Sequence, residues 1–143
     1  MNQKIVTNSP IETIEFAKKL GSGLLSGSIL TLEGDLATGK TTFTKGLALG
    51  LGIEEVIDSP TFAIVKEYEG KIPMFHIDAY RLDRDSDFEF LLEYFDRDGV
   101  CVIEWASTIE KNLPDERIDV MIKNLGGDSR EITVTDKGGI SKC

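Results

Sequence analysis

The chain has 143 residues, of which 41% are hydrophobic and 29% are charged, and its formal net charge is -9. This size and composition predict a single domain, 1–143, that buries a real core. The negative charge argues against nucleic acid as a direct ligand, because phosphate contacts require Lys and Arg. The chain shows no signal-type apolar segment, no apolar run approaching about 18 residues and no C-x-x-C pair, so we expect a cytoplasmic protein without a membrane anchor.

The first predicted elements are a short edge strand over 4–7 and a helix that begins at Pro10. Ser9 is a favourable N-cap, and proline suits the first helical position because its missing N–H has no acceptor there. We expect Gly21 and Gly23 to end this helix, since glycine is the common residue after a helix C-terminus.

The stretch between the next strand and the second helix carries the clearest signal. An apolar run over 29–32 leads to Gly34, and Gly34, Gly39, Lys40 and Thr41 match the phosphate-loop pattern G-x-x-x-x-G-K-[ST]. Glycine lets the backbone approach phosphate oxygens, and the following helix adds the positive end of its dipole. Lys40 can reach the β- and γ-phosphates, and Thr41 can offer its hydroxyl to magnesium. The pattern therefore predicts a nucleotide site at the start of a helix over 40–51.

The remaining pattern alternates between strands, turns and short helices. It predicts a hairpin over 63–68 and 72–78, a helix from Asp85 or Ser86 to about Phe95, a doubly covered strand over 100–103, a short helix over 106–111, and a closing hairpin of 117–123 and 130–135. From Lys137 on we expect a loose tail. The sum predicts an α/β, three-layer P-loop NTPase-like fold with a mixed sheet that is parallel in its centre.

Two acidic residues end predicted strands and are candidates to complete the site. Asp78 ends the run that begins at Met74, and Glu104 follows four apolar residues, as a Walker B acid does. Ligands of open α/β sheets lie at the carboxyl ends of the strands, so either residue could hold magnesium directly or through water. Glu104 could instead orient the attacking water. The alternative is that each is a surface acid where a strand leaves the sheet.

Four other side chains are ambiguous. Ser59 and Thr61 fit a loop that senses the γ-phosphate, and they fit equally a Pro-containing turn that enters a strand. His76 lies within a predicted strand, where a packed or surface histidine is commoner than a catalytic one. Trp105 fits either packing in the core or rim or a position near the nucleotide.

Four separated motifs together resemble one family. In chain order they are GDLATGKTTF at 34–43, SPTF at 59–62, HIDAYRL at 76–82 and IEW at 103–105. Over nearly its whole length the chain is similar to the TsaE family, the bacterial ATPases of tRNA threonylcarbamoyladenosine biosynthesis.

The resemblance implies a weak, partner-stimulated ATPase that works with TsaB and TsaD. Those partners transfer the threonylcarbamoyl group to an adenosine beside the anticodon, so tRNA would be reached only through them. The resemblance implies catalytic roles for Lys40, Glu104 and Asp78, and a magnesium ion near Thr41, Asp78 and Glu104. It implies that ATP is bound by Gly34, Asp35, Leu36, Ala37, Thr38, Gly39, Lys40, Thr41 and Thr42.

The chain departs from the family pattern in the middle of the loop, where Ala37 and Thr38 replace the usual Gly-Ala pair, so nucleotide affinity could differ. Two rival functions remain open. A small-molecule kinase would need arginines clustered in a lid, whereas the five arginines here are scattered. A nucleotide-gated binding module would carry the same loop and hydrolyse ATP only incidentally. A GTPase is disfavoured because the chain lacks N-K-x-D.

Overall fold

The structure, a computed structural model, describes residues 2–34, 39–57, 65–79, 85–106 and 113–137. Within these ranges the helices are α1 Pro10–Ser22, α2 Lys40–Gly50 and α3 Asp85–Phe95. The strands are β1 Asn2–Thr7, β2 Ile29–Glu33, β3 Val65–Tyr68, β4 Met74–Asp78, β5 Val100–Glu104, β6 Ile118–Gly126 and β7 Ser129–Asp136.

All seven strands form one sheet in the order β1-β7-β6-β2-β5-β4-β3. The neighbouring strands β6, β2, β5 and β4 run parallel, whereas β1, β7 and β6 pair antiparallel with one another, as do β3 and β4. The predicted mixed sheet with a parallel centre is thus confirmed. Because the central strands are parallel, the carboxyl ends of β2, β5 and β4 meet at one edge.

Helices cover both faces of the sheet, which confirms the three layers. On one face α1 and α2 bury Leu20, Phe43 and Leu47 against the strands. On the other face α3 places Leu91 in a second core with Ile77 and other residues of β4 and β5. None of the helices in the described ranges is long and apolar enough to cross a membrane.

Helix α1 begins as predicted, since the Ser9 hydroxyl accepts a hydrogen bond from the Glu12 N–H at 3.1 Å. The expectation that Gly21 ends the helix is wrong, because α1 continues to Ser22 and Gly23 is its C-cap. Gly21 has a packing role instead. A Cβ added there would lie 2.5 Å from the backbone oxygen of Leu47 in α2.

The two helices approach each other backbone to backbone, and α2 contributes a glycine to the same contact. A Cβ added at Gly46 would lie 2.5 Å from the Ile14 oxygen and 2.6 Å from the Ala17 Cβ. These glycines allow α1 to lie directly on α2, which fixes the position of the helix that follows the phosphate loop.

The C-terminal hairpin is tied to its neighbours. Lys137, the first residue of the expected tail, donates its N–H to the Arg117 carbonyl at 2.9 Å. Its ammonium group also lies 3.1 Å from a carboxylate oxygen of Asp119. Lys137 therefore belongs to the fold, and residues 138–143 lie outside the described residues.

Candidate nucleotide-binding site

The N-terminus of α2 has the backbone geometry that a phosphate site needs. Gly39 caps the helix with φ 98° and ψ 23°, a left-handed conformation that costs glycine little and other residues more. Its carbonyl accepts the first intrahelical bond, from the Phe43 N–H at 2.9 Å. The first N–H groups of a helix have no intrahelical acceptor, and the first turn of α2 holds no acidic side chain. This helix end can therefore attract an anion.

Most residues of the predicted phosphate loop come before the first turn of α2. Gly34 directly follows β2, and Thr41 and Thr42 are partly buried in the first turn of α2. The four residues between the two loop glycines, Asp35, Leu36, Ala37 and Thr38, lie outside the described residues.

Lys40 connects α2 to the edge of the sheet. It is only 9% exposed, and its ammonium nitrogen lies 3.7 Å from Oε1 of Glu104. The same nitrogen lies 4.2 Å from the centroid of the Trp105 ring. Two residues predicted from separate motifs, Lys40 and Glu104, thus meet in one site, and Trp105 belongs to it.

Glu104 is buried and held from two sides. It is the last residue of β5, and its Oε2 lies 2.5 Å from His76 Nε2 while its Oε1 faces Lys40. Burial by itself raises the pKa of this carboxyl, but the hydrogen bond and charge of His76 and the charge of Lys40 outweigh burial, so the pKa is lowered. Glu104 is thus a buried carboxylate and not a surface acid.

Asp78 lies beside Glu104. The two residues are register partners at the carboxyl ends of β4 and β5, and Asp78 is partly buried. The structure therefore brings both predicted acids to the edge where α2 begins. The other predicted polar residues, Ser59 and Thr61, lie outside the described residues.

The donors at this edge fit magnesium. The described residues contain no cluster of three or more His, Cys, Asp or Glu side chains that could hold a metal by themselves. Mg²⁺ commonly takes one or two carboxylates and completes its shell with waters and substrate phosphates. An ionised Glu104, the neighbouring Asp78 and the Thr41 hydroxyl are the oxygen donors that such a site uses.

Sequence reasoning left His76 ambiguous and missed Arg130. His76 contacts the carboxylate of Glu104 through Nε2. The sequence contains a signal for this position, because strand alternation puts His76 on the same face as Asp78. Arg130 lies beside Gly39 at the N-terminus of α2, where a Cβ on Gly39 would be 3.7 Å from its Nε. It lines a hollow of about 30 Å³ with Pro10, Thr13, Gly39, Thr42 and Asp128. No sequence signal places it there, since the approach depends on how the β6–β7 hairpin is positioned.

A mixed sheet with a parallel centre, whose strand β2 is followed after Gly34 and Gly39 by a helix that begins with a buried lysine, defines the P-loop NTPase-like class. The crystal structure of YdiB from Bacillus subtilis has the same fold, with a TM-score of 0.84 and 47% identity over 96% of this chain and 87% of that one. A family model described as "Threonylcarbamoyl adenosine biosynthesis protein TsaE" matches residues 7–132. The chain therefore belongs to the TsaE family.

Curated relatives agree with this membership. The protein named "tRNA threonylcarbamoyladenosine biosynthesis protein TsaE" of Bacillus subtilis (strain 168) is 51% identical over 133 residues, which cover 92% of this chain and 84% of that protein. The protein of the same name from Treponema pallidum (strain Nichols) is 41% identical, over 92% of this chain and 98% of its own length. The resemblance stated from the four motifs is thus confirmed.

Proposed function

We propose that this protein is the magnesium-dependent ATP-binding and ATP-hydrolysing subunit of a cytoplasmic system that forms threonylcarbamoyladenosine on tRNA. The relatives named above carry the name of that modification pathway, which supports a role in it. The single observation that carries the ATPase part is the contact between Lys40 at the start of α2 and Glu104 at the end of β5.

The proposed roles follow from what each group can do. Lys40 binds the β- and γ-phosphates as a cation, and the first amides of α2 bind phosphate oxygens. Thr41, Asp78 and Glu104 would hold magnesium, whose chemistry when bound is to neutralise charge on the phosphate oxygens. Glu104 is ionised, so it is able to accept a hydrogen bond from the attacking water as well as to act as an oxygen ligand.

Partners are proposed from the family and from charge. We propose TsaB and TsaD as the proteins that act with this chain, with tRNA bound by them. The net charge of -9 supports this division of labour, because a strongly acidic chain is repelled by the phosphate backbone of tRNA.

The experiment is ATP hydrolysis by the purified chain, alone and with a TsaB–TsaD complex. We expect slow hydrolysis alone, stimulation by the complex, and loss of both in Lys40→Ala. Lys45→Ala is the matched control, because Lys45 is an exposed lysine of the same helix.

Each result has a distinct meaning. Hydrolysis that survives in Lys40→Ala would contradict the nucleotide site. If the chain hydrolyses ATP at the same rate with and without the complex, the proposed ATPase activity is supported and the proposed partnership is contradicted. Transfer of phosphate to a small molecule would favour the kinase.

A further inference from the structure

His76 is a fully buried polar side chain on a face of the sheet that is otherwise largely apolar. It lies in the middle of β4 with both neighbouring strands paired, and its side chain is 0% exposed. Met74, two residues earlier on the same face, belongs to the apolar core beneath α1 and α2. Burying an imidazole among such residues costs free energy unless its nitrogens are hydrogen-bonded.

Only one of the two imidazole nitrogens has a visible partner. Nε2 lies 2.5 Å from Glu104 Oε2, whereas the buried Nδ1 has no hydrogen-bond partner among the described residues. A carboxylate can only accept a hydrogen bond, so the geometry fits a bond in which Nε2 donates its proton to Oε2. A hydrogen bond to a carboxylate is charge-assisted, and such bonds are short and strong.

The sheet register explains why this bond orients Glu104. His76 pairs with Val102, so Glu104 is two residues further along the neighbouring strand and on the same face. The bond occupies Oε2, and Oε1 is the oxygen that faces Lys40. With one oxygen fixed by a fully buried ring, the direction of the other is set by the sheet.

We propose that His76 is a positioning residue that holds Glu104 through Oε2 and so presents Oε1 to the phosphate site. This inference rests on the proposed function, since it concerns the same site, and it assigns His76 no contact with nucleotide. It explains why a polar ring stands in an apolar layer.

The first test is nuclear magnetic resonance of the imidazole nitrogens. His76 is the only histidine of the chain, so ¹⁵N-histidine labelling of the tag-free protein gives a single ring without any assignment step. We expect a proton on Nε2 in a strong hydrogen bond, and we expect its proton resonance to move upfield in Glu104→Gln, where the acceptor is neutral. A ring protonated on Nδ1 with a bare Nε2 would overturn the proposal.

The second test separates positioning from packing by kinetics. His76→Leu removes the donor, and we expect kcat for ATP hydrolysis to fall about 10- to 100-fold, as for outer-shell partners of catalytic ligands. We expect KM for ATP to change by less than about 3-fold, because the residue does not touch nucleotide. His76→Gln, whose amide N–H reaches about as far as Nε2, should retain most of kcat.

A double-mutant cycle tests whether the effect passes through Glu104. In a Glu104→Gln background, His76→Leu should cost no further activity, because the group it orients is already altered. The proposal would be overturned if the fold-loss in kcat of the double variant equalled the product of the two single fold-losses, or if His76→Leu kept the full kcat of wild type. If His76→Leu does not fold, the kcat of His76→Gln and the imidazole resonances of the labelled wild-type protein still test the proposal.

Failure of the proposed function would look different. A wild-type chain that neither binds nor hydrolyses ATP, with Lys40→Ala indistinguishable from it, would remove the ATPase. The nitrogen resonances would still report whether His76 holds the carboxylate of Glu104.

Discussion

The ammonium group of Lys40 lies over the indole ring of Trp105, 4.2 Å from the ring centroid, and 3.7 Å from a carboxylate oxygen of Glu104. Trp105 adopts φ 60°, which non-glycine residues seldom do, directly after the last residue of β5. This backbone conformation allows the indole ring to contact the ammonium group of Lys40. Contacts of a cation with an aromatic face contribute about 0.5–2 kcal/mol, depending on desolvation.

We expect the fluorescence of Trp105 to report nucleotide binding. Trp105 is the only tryptophan of the chain, and ATP should draw Lys40 from the ring toward its phosphates, so the emission should change on titration. Lys40→Ala should give a different starting emission and a flat titration, and Lys45→Ala should behave as wild type. Unchanged emission at ATP concentrations that calorimetry shows to be saturating would contradict the movement of Lys40.

We expect Glu104→Ala to impair hydrolysis far more than binding. Hydrolysis should fall at least about 10²-fold, a common size for loss of a catalytic acid–base group, while the Kd for ATP changes less than about 10-fold. Single-turnover hydrolysis and calorimetric titration measure the two effects. Glu93→Ala, an exposed acid of α3, controls for the lost charge. Complete loss of Mg-ATP binding would contradict this expectation and would show that the main role of Glu104 is to bind the metal, not to orient the attacking water.

We expect Gly46→Ala to destabilise the fold, although alanine favours a helix over glycine by about 1 kcal/mol. The new Cβ would meet the Ile14 oxygen at 2.5 Å and the Ala17 Cβ at 2.6 Å. Overpacking of this kind costs about 1–3 kcal/mol, which exceeds the gain in helix propensity. Urea unfolding measures the change, and a Gly46→Ala protein as stable as wild type would show that α1 and α2 can separate at no cost.

We expect low pH to weaken the hydrogen bonds and ion pairs of the Asp119 carboxylate. Burial alone raises the pKa of this carboxyl, but hydrogen bonds from Thr31, Lys137 and Arg117 outweigh it, so the pKa is lowered. A lowered pKa in the folded state stabilises the protein above the unfolded value of about 3.9, and this contribution is lost as the pH falls through the folded value.

The measurement is the free energy of unfolding of wild type and Asp119→Asn from about pH 7 to pH 2. The difference between them should be largest at neutral pH and shrink from about pH 4 downward. Asp115→Asn, an exposed aspartate, controls for the lost charge. Parallel pH profiles for wild type and Asp119→Asn would contradict the assigned role.

Sequence predicted what depends on residues close together along the chain. Strand β2 and helix α2 follow from an apolar run and a glycine-lysine motif that are contiguous, and Glu104 follows from the apolar run before it. The bond between His76 and Glu104 joins residues 28 positions apart and depends on the register of β4 on β5. No local pattern fixes that register, so the sequence does not distinguish a packed or surface His76 from one that bonds Glu104.

The same reasoning applies to longer distances. The order of the strands, with β6 and not β1 beside β2, depends on the free energy of the whole sheet. Gly21 was expected to end α1, yet contact with Leu47 gives it a place inside the helix. In both cases tertiary packing decided what local sequence patterns could not.

The pairing of β1 with β7 has a consequence for synthesis of the chain. Asn2 pairs with Thr135 and Thr7 with Arg130, so β1 has as its neighbour a strand that is translated after the other described strands. On the ribosome β1 cannot make this pairing until the elements between it and β7 have been made. Such distant pairing slows folding and leaves a strand edge open to other chains in the meantime. Newly made protein should therefore aggregate most readily before β7 emerges, because β7 then closes that edge of β1.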